Sequence, residues 1–270
     1  MGLPETPMTP PHEDAGPTSK AEKRRSEIAR LLMERGTVPI KELTSKFAVS
    51  LMTIHRDLNV LEQHGILRRI RGAVTAEKSM LVESSYQYRA RQMVAQKRRL
   101  ARAAVRHIEP GNAVIWDESS TTFHVTEFIG EAAPVTVITN ALPVLERLRD
   151  MQDIDLIALG GRYNRAYMGF FGIACERAIR TLKVDVAIMS TTTIQGLSMY
   201  TQDEHVVRAK QAMIEVARKR ILLVDETKFQ FSALNFVADL SEFDVVLLAG
   251  DVEPSVLDSL RAAGIRLERV

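Results

Sequence analysis

With 270 residues, 46% of them hydrophobic, the chain is long enough for one large domain and a small one. Its single cysteine, Cys175, excludes an intrachain disulfide and a cysteine-rich zinc site. No run approaches the roughly 18 apolar residues of a membrane-spanning helix, so a soluble, cytoplasmic protein is expected. The net charge of +2 hides a division: 20 lysines and arginines face 8 acids from Lys20 to His107, whereas 16 face 23 from Glu109 to the end. That asymmetry points to a polyanionic partner for the first half only.

Residues 1–19 hold half of the ten prolines and no lysine or arginine. They match neither a secretory signal nor a transit peptide, and a disordered tail is expected. From 20 to 76 the pattern is that of a small helical domain. A basic helix from about Lys20 to Arg35 turns Ile28, Leu31 and Leu32 inward and is stopped by Gly36. Val38-Pro39-Ile40 reads as an extended link, and Glu42 to Ala48 as a short helix with Leu43 and Phe47 inward. Val49-Ser50 leaves room only for a tight turn. Ser50 is able to cap the helix that follows, whose Ile54, Leu58 and Leu61 recur at helical spacing and face a core.

Opposite that stripe stand Met52, Arg56, Asn59 and Gln63, with Thr53 and His55 on the shoulders. Long donor-rich side chains of this kind suit a DNA groove better than a merely solvated face. Ile66 to Thr75 alternates apolar and basic residues around Arg71-Gly72, as a two-stranded wing does. These features predict a winged helix-turn-helix. Thr53, His55, Arg56 and Asn59 are then the candidates for the major groove, while Arg68, Arg69 and Arg71 of the wing and Lys23 and Arg24 of the first helix hold phosphates. Asp57, nearer the core edge, is expected to pair with a neighbouring arginine.

Residues 77–109 read as a polar connector and a connecting helix. From Tyr86 to Ile108 the helical stripe is Met93, Leu100, Ala104 and Ile108, with Lys97, Arg98, Arg99, Arg102 and Arg106 placed on the other faces. Packing on the next domain, on a second subunit, or on both is open. From 110 to 270 short apolar runs alternate with helical segments: Ala113 to Trp116, Val135 to Ile138, Ile154 to Leu159, Val184 to Met189, Ile221 to Val224 and Val245 to Ala249. Continuous hydrophobicity implies strands buried on both faces, hence a Rossmann-like, largely parallel sheet flanked by helices. The fold class is α/β, with the winged helix-turn-helix at its amino end.

Ligands of such sheets bind beyond the carboxyl ends of the strands. There the chain places Asp117, Ser119, Ser120, Thr121 and Thr122, then Thr139 and Asn140, Gly160 and Gly161, Ser190 to Thr193, and Asp225 with Lys228. A hydroxyl run at a helix start can hold a phosphate, carboxylates accept from sugar hydroxyls, and a lysine neutralises the phosphate, so a phosphorylated polyol fits. Ser120, Thr121 and Thr122 could equally cap a helix, and Lys210 could be merely solvated. Asp203-Glu204-His205 imitates a metal cluster, but adjacent residues on a helix do not converge, and no metal is assigned.

These residues give the chain a family likeness: it resembles the DeoR-type transcriptional regulators over nearly all of Lys23 to Val270. Val38, Glu42-Leu43, Phe47, Val49-Ser50, Thr53-Ile54, Arg56-Asp57-Leu58, Leu61-Glu62, Gly65 and Leu67-Arg68 resemble the family's helix-turn-helix signature. Asp117, Thr121-Thr122, Thr139-Asn140, Gly160-Gly161, Gly172, Lys210, Asp225 and Thr227-Lys228-Phe229 resemble its sensor domain, whose fold is similar to ribose-5-phosphate isomerase and the coenzyme A transferases. The resemblance implies a repressor that binds double-stranded operator DNA as a homo-oligomer, dimer or tetramer, and is released by a phosphorylated sugar or sugar derivative, with no cofactor. It adds Lys210 to the ligand contacts. Departures from the family pattern are His55 for an arginine, Arg71-Gly72-Ala73 in the wing, and Ser119, Ser190 and Thr193 for glycines, which add bulk and hydroxyls around the ligand.

Two other function classes fit parts of the sequence. A sugar-phosphate isomerase or transferase would draw acid–base groups from Asp117, Glu204, Asp225 and Lys210. An enzyme needs no residues 37 to 75, however, and the isomerase's acidic loop is replaced here by Ser190 to Thr193, so no catalysis is expected. An architectural DNA-binding protein with an unliganded second domain would bind arbitrary duplexes alike.

Overall fold

A computed structural model describes residues 20–63, 67–76, 86–230 and 232–270. The expected tail and the polar connector lie outside the described residues. The chain divides into two compact units, Met1–Lys78 and Ser79–Val270.

The first unit contains α1 (Lys20–Arg35), β1 (Thr37–Pro39), α2 (Ile40–Phe47), α3 (Leu51–Gln63), β2 (Leu67–Ile70) and β3 (Ala73–Ala76). Its core is Ile28, Leu31, Leu32, Val38, Leu43, Ile54, Leu58, Leu61, Leu67 and Val74, all buried. Ala48 ends α2 in the left-handed conformation at φ 48°, and the Ser50 hydroxyl accepts the Thr53 N–H at 3.2 Å to cap α3. Gly72, at φ 73°, makes the wing turn. The expected link at Val38-Pro39 is instead a third strand: β1 pairs antiparallel with β3 through Val38 and Val74. Val38 is buried between exposed Thr37 and Pro39, so burying it against Val74 draws the segment into the sheet.

α1 and α3 are held together by charge as well as packing. Asp57, 2% exposed, accepts from Arg24 Nε at 2.5 Å, with Arg25 at 3.6 Å. Arg24, expected to hold a phosphate, is therefore turned onto α3.

The second unit opens with α4 (Tyr86–Ala90) and α5 (Val94–Val105), two helices where the sequence predicts one. The break lies at Met93, whose left-handed φ of 52° redirects the chain. Tyr86 N–H then donates to the Ala166 carbonyl at 2.7 Å, a contact that a straight helix would not make. The remaining elements are β4 (Ala113–Trp116), β5 (Val135–Thr139), α6 (Leu142–Leu148), β6 (Ile154–Ala158), β7 (Arg162–Asn164), β8 (Gly169–Phe171), α7 (Ile173–Arg180), β9 (Val184–Ser190), β10 (Thr193–Gln195), β11 (Ser198–Thr201), α8 (Glu204–Val216), β12 (Ala217–Asp225), β13 (Asn235–Asp239), β14 (Val245–Ala249), α9 (Pro254–Ala262) and β15 (Leu267–Arg269).

Seven strands form one sheet in the order β15-β14-β12-β9-β4-β5-β6, and every pairing in it is parallel. The continuous apolar runs serve both faces, because successive residues point to opposite sides. Val186 and Ile188 join α5 and α6 in one core, while Ala187 and Met189 join α7, α8 and α9 in the other. Three details depart from expectation. β6 is an edge strand that leaves Ile157 38% exposed, because a sheet edge has helix cover on only part of its surface. A hairpin of β7 and β8 and a small antiparallel sheet, β10-β11-β13, add to the parallel core. After β4 the chain forms 3-10 turns, Thr122–Glu127 and Ile129–Ala132, rather than an α-helix.

Replacing Asp57 with Ala strands the partly buried Arg24 and removes a charge-assisted hydrogen bond. It is expected to lower the stability of the first unit by about 2 kcal/mol, read from urea unfolding followed by a probe placed in that unit.

Candidate functional site

From β4 the chain proceeds to β5 and β6 on one side, then crosses to β9 on the other. The strand order therefore reverses between β4 and β9, the place where open α/β sheets leave a crevice at the carboxyl ends. Asp117 follows β4 there and is fully buried. Its Oδ1 accepts from the Ser119 N–H at 3.1 Å and the Thr122 hydroxyl at 2.9 Å. Its Oδ2 accepts from the Ser190 N–H at 2.9 Å and from the Lys210 ammonium. Lys210 also donates to the Ser190 carbonyl at 3.0 Å and lies 3.6 Å from Glu118 Oε1. Burial alone would lower the pKa of Lys210, but Asp117 and then Glu118 outweigh it and hold the pKa above the usual lysine value. Lys210 is thus neither solvated nor an open ligand contact: it ties α8 to both strands at the switch point.

Several other expected ligand contacts are engaged in shaping this place. The Ser119 hydroxyl accepts the Thr122 N–H at 3.0 Å, at the residue where the first 3-10 turn begins. The Thr139 hydroxyl donates to the Trp116 carbonyl at 2.9 Å and accepts from the Ala141 N–H at 3.1 Å. Gly161 has φ 148°, and a Cβ there would stand 2.5 Å from the Phe171 carbonyl oxygen, so the residue is required by close backbone approach. Gly160 is exposed, with open space where a side chain would be.

The other expected ligand contacts at these strand ends are Ser120, Thr121, Asn140, Asp225 and Lys228, and beside them lies a lysine that sequence reasoning placed elsewhere. Lys97 is only 2% exposed. Its ammonium donates to the Ser120 hydroxyl at 3.0 Å and to the Arg89 carbonyl. Burial first, then the neighbouring charges of Lys228 and Arg89, push its pKa well below the ordinary lysine value, and Asp225 opposes them. The signal was present in the sequence: 93, 97, 100, 104 and 108 form one helical stripe, so Lys97 shares the apolar face with Leu100 and Ala104. Asp225 Oδ1 accepts from the Thr227 N–H at 3.0 Å, and the Asn140 amide donates to the Phe170 carbonyl at 3.0 Å. Among the described residues nothing donates to the buried Asp225 Oδ2 or Asn140 Oδ1.

A cover lies over these groups. Phe170 N–H donates to the Asn140 carbonyl and Leu142 N–H to the Met168 carbonyl, each at 2.9 Å, which lays the β7–β8 hairpin on the strand ends. The Arg89 guanidinium of α4 sits over the Tyr167 ring at 5.7 Å.

In the first unit Arg56 and Asn59 are exposed on α3, and Thr53 and His55 are half-buried beside them. Arg68 and Arg71 of the wing are exposed. Arg69 turns back onto α3, with its guanidinium 3.2 Å from both His55 Nδ1 and the His55 carbonyl, hydrogen-bonded to Asn59 Oδ1, and 3.1 Å from Glu62. The side chain of Lys23 lies outside the description. Asp203 caps α8 by accepting the His205 N–H at 2.8 Å, and no group of three or more metal-ligating side chains occurs among the described residues. Nor, among them, is any helix long and apolar enough to cross a membrane.

A winged helix-turn-helix with a donor-rich outer face, on one chain with a doubly wound α/β domain whose switch point is polar and cationic, defines a class: DNA-binding proteins with a second, ligand-responsive domain. The DeoR-like helix-turn-helix domain matches residues 24–80 and the DeoR C terminal sensor domain matches residues 92–248. The chain belongs to the DeoR family and is a DNA-binding transcriptional regulator. It is 31% identical to the glycerol-3-phosphate regulon repressor of Escherichia coli K12 over 92% of this chain and 99% of that one. It is 31% identical to the regulator IolR of Bacillus subtilis over 78% of this chain and 84% of that one, and 28% identical to the L-fucose operon activator of Haemophilus influenzae over 81% and 88%. Ribose 5-phosphate isomerase from Plasmodium falciparum superposes with a TM-score of 0.37 and 18% identity over 51% of this chain and 53% of that one, a likeness too distant to bear on the chemistry.

The shift at Lys97 has a measurable consequence. The folded chain releases this proton more readily than the unfolded chain, whose lysine keeps the ordinary value of 10.5. Stability from this residue is therefore complete above that value and lost as pH falls through the lowered folded one. Stability should rise as pH climbs towards about 10, and Lys97→Met should flatten that rise in thermal melts of the two proteins at increasing pH.

Proposed function

We propose that the protein represses a carbohydrate-metabolism operon from the cytoplasm, gripping operator DNA as a homo-oligomer and responding to a phosphorylated sugar or sugar derivative. The observation that carries the ligand reading is the buried Lys97 ammonium on the Ser120 hydroxyl, with Lys228 and Arg89 as charged neighbours, at the switch point of the sheet. Cations so placed favour a dianion such as phosphate, held by Lys97, Lys228, Ser120 and Thr121. Asn140 Oδ1 and Asp225 Oδ2 are acceptors for hydroxyls of the same ligand. The names of the relatives, which govern glycerol-3-phosphate and fucose genes, support a carbohydrate signal. We take release of DNA by ligand as the direction, in keeping with the repressors among them; the fucose relative is an activator and marks the opposite outcome.

On DNA, Arg56, Thr53, His55 and Asn59 read base edges, while Arg68, Arg71 and Lys23 meet phosphates. Arg69 holds His55 and Asn59 in place for that contact. The ligand acts by binding two arrangements of the oligomer unequally. Catalysis is the weaker reading, because Asp117 and Lys210 satisfy each other and the Glu204 side chain is 69% exposed. Turnover of pentose phosphates by the purified protein would reverse that judgement.

Arg56→Ala is expected to cost about 1 to 3 kcal/mol at an operator selected from random duplexes, with relaxed base preference at one position. Unchanged discrimination removes Arg56 from the readers. Lys228→Ala is expected to weaken the effect of a sugar phosphate on operator binding while the ligand-free affinity, measured by fluorescence anisotropy, stays high. A collapse of ligand-free DNA binding would make Lys228 structural.

A further inference from the structure

Glu118 is a buried carboxyl that neither the scaffold nor the phosphate reading uses. It follows Asp117 at the end of β4 and is 2% exposed. Its Oε1 lies 3.6 Å from Lys210, but Lys210 already has Asp117 as its counter-ion at hydrogen-bonding distance. Its Oε2 is buried, and no described residue donates to it. An acceptor kept dry and unpaired is costly to the fold, so a group that relieves it on binding is a reason to keep it.

The surroundings say which group. Burial raises the pKa of Glu118; the Lys210 charge lowers it and that of Asp117 raises it again, leaving a net shift towards the neutral acid. A neutral carboxylic acid offers one donor and one acceptor, the complement of a hydroxyl. Glu118 also shares its place with a second orphan acceptor. A Cβ built on Gly169 of the covering hairpin would stand 3.0 Å from Glu118 Cβ and 3.2 Å from the Asn140 carbonyl, so Glu118 and Asn140 meet the same short stretch of that cover. Asn140 Oδ1 lacks a donor as well. Arg89 links this end of the crevice to Lys97, as it acts electrostatically on both Glu118 and Lys97.

We propose that Glu118 is a specificity-determining residue whose free oxygen takes a hydroxyl of the ligand's carbon chain, selecting a polyhydroxylated phosphate ester over bare phosphate. The proposal rests on the reading of Lys97, Ser120 and Lys228 as the phosphate end of the crevice. It excludes a role for Glu118 as a second counter-ion alone, which would affect stability and not selectivity.

The test is calorimetric titration of the full-length protein with inorganic phosphate and with a panel of triose, pentose and hexose phosphates, glycerol 3-phosphate included. The quantity read is the ratio of the dissociation constant for inorganic phosphate to that for the best ester. Glu118→Gln keeps a donor and an acceptor and should hold the ratio within about threefold of wild type, whereas Glu118→Met should lower it at least about tenfold. A ratio equal to wild type in Glu118→Met overturns the proposal. Should Glu118→Met not fold, the wild-type protein decides alone: among singly deoxygenated analogues of the best ester at least one should bind about tenfold more weakly, and equal affinities across the set overturn it. Wild type that binds inorganic phosphate and every ester alike defeats the role of Glu118 and leaves the phosphate reading standing. Wild type that binds none of them defeats both.

Discussion

The ion pair between Asp117 and Lys210 is what the sensor domain is arranged around. One fully buried carboxylate receives the Ser119 N–H, the Thr122 hydroxyl, the Ser190 N–H and the Lys210 ammonium, and the same ammonium reaches the Ser190 carbonyl. Through these bonds the end of β4, the turn after it, the end of β9 and the middle of α8 are held in one geometry. A buried pair of this kind is weak evidence for stability, because desolvation offsets most of the attraction. Its value here is positional. The chain leaves β4 and β9 towards opposite sides of the sheet here, and the two strand ends keep a defined geometry only if they are held in register.

Ser119, Thr122, Thr139 and Gly161 are engaged in the scaffold. The two buried lysines have opposite surroundings. Lys210 lies between two carboxyl groups and is held above the ordinary lysine value, whereas Lys97 has Lys228 and Arg89 for neighbours and is pushed below it. Identical side chains are thereby given different tasks. Lys210 is neutralised by the protein, whereas on the proposed reading a bound anion would favour the charged form of Lys97, as Asp225 does in part.

The amino-terminal unit uses the same device more modestly. Asp57 draws Arg24 onto α3, and Arg69 folds back from the wing onto His55, Asn59 and Glu62. Side chains that a count of basic residues would assign to phosphates instead orient the helix and its neighbours. The arginines that remain exposed on α3 and the wing are Arg56, Arg68 and Arg71.

Much of this was legible in the sequence, because periodicity reports which faces are dry. The 3.6-residue spacing of Ile54, Leu58 and Leu61 and the unbroken apolar runs of β4, β5, β9, β12 and β14 were enough for both fold classes and for the residues that stand at the strand ends. Beyond the pairing of Asp57 with an arginine and the helical face of Lys97, the partners of individual polar side chains were not legible. Lys97 and Lys210, Ser119 and Ser120, Arg24 and Arg68 are alike by composition, and what separates them is which atoms lie within 4 Å after α4 bends away from α5 at Met93 and the β7–β8 hairpin covers the strand ends. Apolar pattern is a local property of the chain, since burial of a face needs only a partner of the same kind. The partner of a charge is set by long-range contacts between residues such as 117 and 210, and only the tertiary structure decides it.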